Sequence, residues 1–388
     1  MAQVDAQPAL IDDLFNCPPA YNAILACLSP ADIIRAGKTC RLLRDAVESF
    51  NSLAYNINRH LEHFLADPIA FRRLQAKGDF LISGSNALQF LDRTFYLGSD
   101  LDIFAYPDTV KEIGQHLIDK EGYVFEPGEK QAKSFEDVKV KKQDLSSLGR
   151  SHSQAEFVYN SGMSDLLRFK HPRRDLEIQL IGCRRTPLDC VLYFHSTCVM
   201  NIITHDAAYA LYPKATFDKR ISLQFGYDSH ERTKKAFDKY SERGWSFFTD
   251  LTAEGVRSIE SSIATDITRY LDDKFTWRLP LDTGGLDLDE DSKSKTIAFQ
   301  CNSWRLNRDF NGFSTQMTLG IAYQVFPSRS LEQTYLVAEK EFGDAIDQLI
   351  DYLEVYNPSR RTRKYLDSYL PDLRDAHHKY TKRVYEET

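Results

Sequence analysis

Between Asp79 and Phe125 the chain alternates short apolar runs with helix-like stretches, and this alternation constrains its fold more than any other feature. Asp79-Phe-Leu-Ile-Ser83 is an apolar run that stops at Gly84-Ser85, and residues 86–91 then read as helix. Asp100-Leu-Asp-Ile-Phe-Ala105 reads as a strand. Pro107-Asp108 opens a helix predicted over 109–120, Glu121-Gly122 ends it, and residues 123–125 begin another strand. Strand–helix–strand–helix–strand is an α/β pattern, in which helices must cover a sheet.

The flanking segments differ in character. Residues 1–16 read as a loose tail and 17–75 as all-helical. Ser29-Pro30-Ala31-Asp32 marks one helix start, with Ser at the N-cap and Pro at the first helical position. Further helix is predicted over 53–65 and, after Asp67-Pro68, through Leu74. Residues 128–153 are polar and lysine-rich and read as a weakly ordered insertion. Strands follow at 155–160, 166–170 and 175–181, the last alternating with a period of two. Residues 188–212 suggest helix and strand on the same core. Residues 230–277 look helical, 282–294 is an acidic loop, 296–300 and 317–325 look like strands, and 331–356 like one long amphipathic helix. The expected organisation is therefore α+β: a helical region over 1–75, a mixed sheet with helices over 76–228, and a mainly helical region with a few strands over 229–388.

Bulk properties bound the function classes. A chain of 388 residues suggests two or three domains. Hydrophobic residues at 42% and charged residues at 27% are ordinary for a globular protein. The net charge of −7 gives no overall electrostatic footprint for nucleic acid. None of the seven cysteines has zinc-ligand spacing, and most read as small buried apolar residues in a reducing compartment. The N-terminus does not read as a signal peptide and no long apolar run suggests a bilayer span, so the expected compartment is cytoplasm or nucleus and no membrane partner is expected.

The chemistry concentrates in three places. Gly84 at a strand-to-helix turn lets backbone approach a ligand closely, and the N–H groups of the following helix suit a phosphate, with the Ser85 hydroxyl adding a hydrogen bond. Residues two apart on a strand share a face, so Asp100 and Asp102 point the same way, about 6–7 Å apart. Mg²⁺ or Mn²⁺ would relieve their repulsion, since magnesium takes one or two carboxylates plus substrate phosphates. Glu177, sharing a strand face with Gln179, can complete a three-carboxylate cluster if its strand lies beside that of Asp100, which would suit two-metal phosphoryl chemistry. Asp175 competes for that role. Lys170, His171, Arg173, Arg174, Arg184 and Arg185 flank this strand and read mainly as solvated hairpin charges. His195 and His205 read as core or surface histidines, and His377-His378 has no metal-site spacing.

Taken together, Leu81-Ile-Ser-Gly84-Ser85, Ser99-Asp100-Leu-Asp102-Ile103 and Leu176-Glu177-Ile178 resemble the signature of the polymerase-beta-like nucleotidyltransferase superfamily, over roughly residues 77–212. The resemblance implies a nucleoside triphosphate held at Gly84 and Ser85, divalent metal at Asp100, Asp102 and Glu177, and Glu177 as the catalytic third acid. The stretch between Ser85 and Asp100 is slightly long for that pattern. The segment Cys17-Pro-Pro…Ile24-Leu-Ala-Cys-Leu28-Ser-Pro-Ala-Asp32…Thr39-Cys40-Arg41-Leu-Leu-Arg44 resembles an F-box, with Cys17 in place of the usual Leu and the usual Trp absent. That likeness implies docking of residues 17–50 on the adaptor subunit of a cullin-RING ubiquitin ligase. The bland alternative is a helical cap on the α/β domain. The joint arrangement, with Phe71-Arg-Arg-Leu-Gln75 and Phe194-His-Ser-Thr-Cys-Val-Met-Asn201, resembles fungal F-box-like proteins carrying such a fused domain.

Overall fold

The structure, a computed structural model, describes residues 12–140, 163–225, 231–248, 262–310, 317–326, 330–356 and 366–387. The expected strand at 155–160, residues 141–153 of the expected insertion and the first eleven residues lie outside these.

Helices α1 (Pro18–Ala26), α2 (Pro30–Gly37) and α3 (Arg41–Ala54) build a small core of their own from Tyr21, Leu25, Ile33, Val47 and Phe50. Ser29 caps α2 as expected: its Oγ accepts from the Asp32 amide at 3.1 Å. Two further helices follow, α4 (Ile57–Leu61) and α5 (Pro68–Gly78), capped by the Asn56 and Asp67 side chains. The Arg93 guanidinium clamps the small bundle to the rest of the chain. It donates to the carbonyls of Leu25 and Leu28 and stacks on Phe50 and Tyr55.

The strands, in chain order, are β1 (Leu81–Ser83), β2 (Leu101–Ala105), β3 (Val124–Glu126), β4 (Met163–Lys170), β5 (Glu177–Cys183), β6 (Asn201–Ile203), β7 (Ala207–Ala210), β8 (Ile221–Leu223), β9 (Ser246–Phe248), β10 (Thr268–Tyr270), β11 (Trp277–Pro280), β12 (Ser303–Phe310), β13 (Met317–Ala322), β14 (Gln324–Phe326) and β15 (Tyr335–Val337). Eight of them form one mixed sheet in the order β11-β7-β6-β1-β2-β5-β4-β3. Within it β2 and β5 run parallel and the other neighbours antiparallel. The α+β class with a mixed sheet and a helical N-terminal region is as expected.

Alternation along the strands builds two layers. Leu101, Ile103, Ile178 and Leu180 enter one core with α6 (Gly84–Asp92) and α7 (Val110–Asp119); Phe104, Ile181 and Cys183 enter another beneath α8 (Pro187–Leu192). The first part of the polar 128–153 stretch is anchored, contrary to expectation. The Phe135 ring lies directly on Gly114 of α7, where a Cβ would stand 2.0 Å from it, and Val138 is buried as well.

Three readings of the C-terminal half are corrected. Residues 230–277 are not continuously helical: α9 (Glu231–Glu242) stops at Gly244, whose φ of +98° breaks the helix, and β9, β10 and β11 follow. Strand β11, from beyond the expected boundary at 228, pairs with β7 and extends the main sheet, an edge that only tertiary pairing selects. Residues 296–299 close the helix α10 (Glu290–Phe299) rather than forming a strand; the Asn302 amide caps the Phe299 carbonyl at 2.8 Å, and Ala298 is buried against the C-terminal helices. The long helix expected over 331–356 begins only at Lys340, as α11 (Lys340–Tyr356). Upstream of it the Asp367 carboxylate accepts from the amides of Glu332 and Gln333 and from the Tyr335 hydroxyl, pulling this stretch out of helix and into β15. The charged tail docks as α12 (Leu370–Glu387).

Candidate functional site

The site forms where the turn between β1 and α6 meets the beginnings of β2 and β5. Gly84 has a φ of +68°, in the left-handed region that favours glycine, and a Cβ there would stand 2.6 Å from Asp102 Oδ2. The missing side chain therefore lets the backbone at the start of α6 lie directly against the Asp102 carboxylate. Antiparallel pairing places Ser83 opposite Asp102 and fixes this approach.

The parallel register, with Leu101 opposite Ile178 and Asp102 opposite Gln179, carries Asp100 and Glu177 to the same sheet end. The Gln179 amide bridges them, donating to Asp100 Oδ2 at 2.9 Å and to Glu177 Oε1 at 3.0 Å. Arg168 of β4 reaches Glu177 Oε1 at 3.7 Å. Asp175 lies exposed in the turn before β5, so it is off the strand face that carries Glu177.

Electrostatics mark Asp102. Burial, and then the charge of Asp100, push its carboxyl up to about 7. Among the described residues none donates a hydrogen bond to it. Asp100 is also raised, by burial first and then by Glu177. The counter-charge comes from a place the sequence did not suggest: Lys239 of α9, which lowers both carboxyls. Burial, and then the neighbouring Arg243, depress Lys239 itself. Arg243 stacks 3.7 Å from the Tyr96 ring centroid, and its Nη1 is buried with no hydrogen-bond partner. A buried orphan donor beside a lysine is suited to an anion. Nothing in the periodicity of the polar helix α9 distinguishes Lys239 from its solvated neighbours.

Ser85 is buried, and its hydroxyl shares a 2.7 Å hydrogen bond with Ser99, whose hydroxyl also accepts from the Gln89 amide at 2.7 Å. The Ser85 side chain is thus tied to the strand entry, and the free donors at this turn are backbone N–H groups.

Several of the remaining candidates have structural partners. Lys170 pairs with Glu126 at 2.8 Å, Arg174 donates to the His63 carbonyl, and Arg185 pairs with the fully buried Asp189 at 2.9 Å. His171 accepts from the amides of Arg173 and Arg174 and so shapes the turn before β5. His195 is pushed down to about 4 by burial and by Lys239, and shares a 2.8 Å hydrogen bond with Ser196. His377 contacts Glu339 at 2.9 Å.

Among the described residues no three of His, Cys, Asp and Glu close into a metal cage. The donor set still suits Mg²⁺ or Mn²⁺: Asp100 and Asp102 supply two hard carboxylates, one of them without a protein donor, beside backbone amides available to phosphate oxygens. No helix among the described residues is long and apolar enough to cross a membrane. No protein-family model matches the chain, and neither the curated proteins nor the solved structures include a significant match to it.

Proposed function

We propose that this chain binds a nucleoside triphosphate with Mg²⁺ or Mn²⁺ and transfers its nucleotidyl group to a hydroxyl acceptor, the acceptor oxygen bonding to the α-phosphorus as the bond to the β-phosphate breaks and pyrophosphate leaves. The observation that carries the reading is the parallel register of β2 and β5. It gathers Asp100, Asp102 and Glu177 at one sheet end, against a glycine turn at a helix N-terminus. Asp100 and Asp102 hold the ion, which, when bound, supplies charge neutralisation for the phosphates. Backbone amides at Gly84 and Ser85 receive phosphate oxygens. Lys239 and Arg243 offset the remaining negative charge, and desolvation of Lys239 strengthens its attraction to an anion. Glu177 accepts the acceptor's proton, positioned by Gln179 and Arg168.

Calorimetric titration of each Mg²⁺·NTP into the folded wild type and the Asp100→Asn/Asp102→Asn variant tests the reading. Binding confined to the wild type supports it; equal binding to both sinks it.

A second reading rests on a different observation. The helices α1–α3 keep a separate core and leave Ile24 37% and Leu53 60% exposed, so this bundle has apolar surface to spare for a partner. Under it, residues 17–50 dock on a ubiquitin-ligase adaptor subunit while the α/β region presents a target. Purified adaptor that fails to bind the intact chain would remove this reading.

A further inference from the structure

A cleft of about 160 Å³ is lined by residues of the N-terminal helices, of α6 and of the loop joining α6 to β2, and reaches Ser99, the residue before Asp100. Its walls are mostly planar rings: His60, His63, Phe95 and Tyr96. Phe95 is 60% exposed although aromatic, and meets His63 edge-on with centroids 5.1 Å apart. The loop that carries it is nevertheless pinned: the Tyr96 amide donates to Gln89 Oε1 at 2.7 Å, and the Tyr96 ring lies under Arg243. Phe95 is therefore held at the rim of the cleft, not on a free segment.

The polar groups follow the same logic. The His60 ring is fixed against Asn86 Oδ1 at 2.9 Å. Among the described residues neither the Arg59 guanidinium nor the His63 ring has a hydrogen-bond or ion-pair partner. Two unspent polar groups thus flank a slot walled by aromatic faces. A void of roughly 150 Å³ accommodates one benzene-sized molecule. Aromatic faces with unused donors suit a flat ring that carries hydrogen-bond acceptors at its edge.

We infer that this cleft binds a planar heteroaromatic ring, as a nucleoside offers, and that the ring belongs either to the nucleotide itself or to the acceptor. The class of ring rests on the proposed function; the cleft does not need the metal or the carboxylates. Ser99 joins the two sites, since it lines the cleft, bonds Ser85 and precedes Asp100.

The test titrates adenosine, guanosine, cytidine and uridine, without metal, into the full chain. The same titrations are run on Phe95→Ala/His63→Ala, Arg59→Ala and Asp100→Asn/Asp102→Asn. Phe95 and Arg59 are exposed and His63 is half-buried against Phe64, so a thermal unfolding check on each variant, with Phe95→Ala alone alongside, keeps a loss of binding distinct from a loss of fold. The expected result is binding of at least one nucleoside, weakened at least tenfold by Phe95→Ala/His63→Ala and unchanged by the carboxylate variant. Competition with Mg²⁺·NTP assigns the ring to the nucleotide, and simultaneous binding assigns it to the acceptor. Absence of binding by all four nucleosides, or binding that the cleft substitutions leave unchanged, overturns the inference. Loss of Mg²⁺·NTP binding alone would instead count against the carboxylate site.

Discussion

Replacing Asp102 by Asn should make the protein more stable at neutral pH, while removing its affinity for metal-bound nucleotide. The carboxyl is pushed from 3.8 up to about 7, by burial and then by Asp100. A group whose folded pKa lies above its unfolded value holds a proton in the native state that the unfolded chain releases. Stability therefore falls as pH rises from about 4 to about 7, and the penalty is complete above that window. At 1.36 kcal/mol per pKa unit the ceiling is about 4 kcal/mol. Asp102 keeps some solvent contact, which reduces this to about 2–4 kcal/mol. Asparagine has the same shape and no charge. At roughly 2–4 °C per kcal/mol, Asp102→Asn should raise Tm by about 4–16 °C at pH 8 without divalent metal. The gain should vanish near pH 4, where both proteins are neutral at this position. Mg²⁺ should stabilise the wild type and leave the variant unmoved. Thermal unfolding across pH 4–8, with and without Mg²⁺, measures all of this. An Asp102→Asn protein no more stable than wild type at pH 8, or equally stabilised at pH 4, would refute the reasoning.

Other outcomes follow from the same geometry. Gly84→Ala forces a Cβ into a left-handed position 2.6 Å from Asp102 Oδ2, so thermal unfolding should show a loss of at least about 1–2 kcal/mol, and nucleotide affinity should drop. Lys239→Met removes a cation that lowers both carboxyls; the Asp102 titration followed by carbon NMR should move upward, and Mg²⁺·NTP affinity should fall about tenfold, near 1.4 kcal/mol. Phe135→Ala empties the contact on Gly114 and should cost about 3 kcal/mol in denaturant unfolding, although its stretch reads as polar insertion. Arg93→Ala unties the N-terminal bundle, so amide exchange in residues 18–54 should speed up while the amides of β2 and β5 keep their protection.

Local chemistry made the central elements legible. Ser29 and Asp67 ahead of prolines, a glycine after the first apolar run and period-two alternation at Glu177 act within a few residues, so α2, α5, the β1–α6 turn and β5 could be read from the chain alone. The same locality placed Asp100 and Asp102 on one face and set Gly84 apart. Where long-range contacts chose between near-equal options, the reading failed: the apolar run at 296–300 closed a helix because Ala298 found the C-terminal core, and 331–339 gave up helix for the bonds that Asp367 offered. Trp277–Pro280 became a strand because β7 had an open edge. The site shows the same division. Two carboxylates were visible in sequence because they sit on one strand. That Glu177 stands next to Asp100, that Gln179 bridges them, and that Lys239 and Arg243 come from more than a hundred residues later are consequences of sheet register and helix docking, to which sequence spacing is blind.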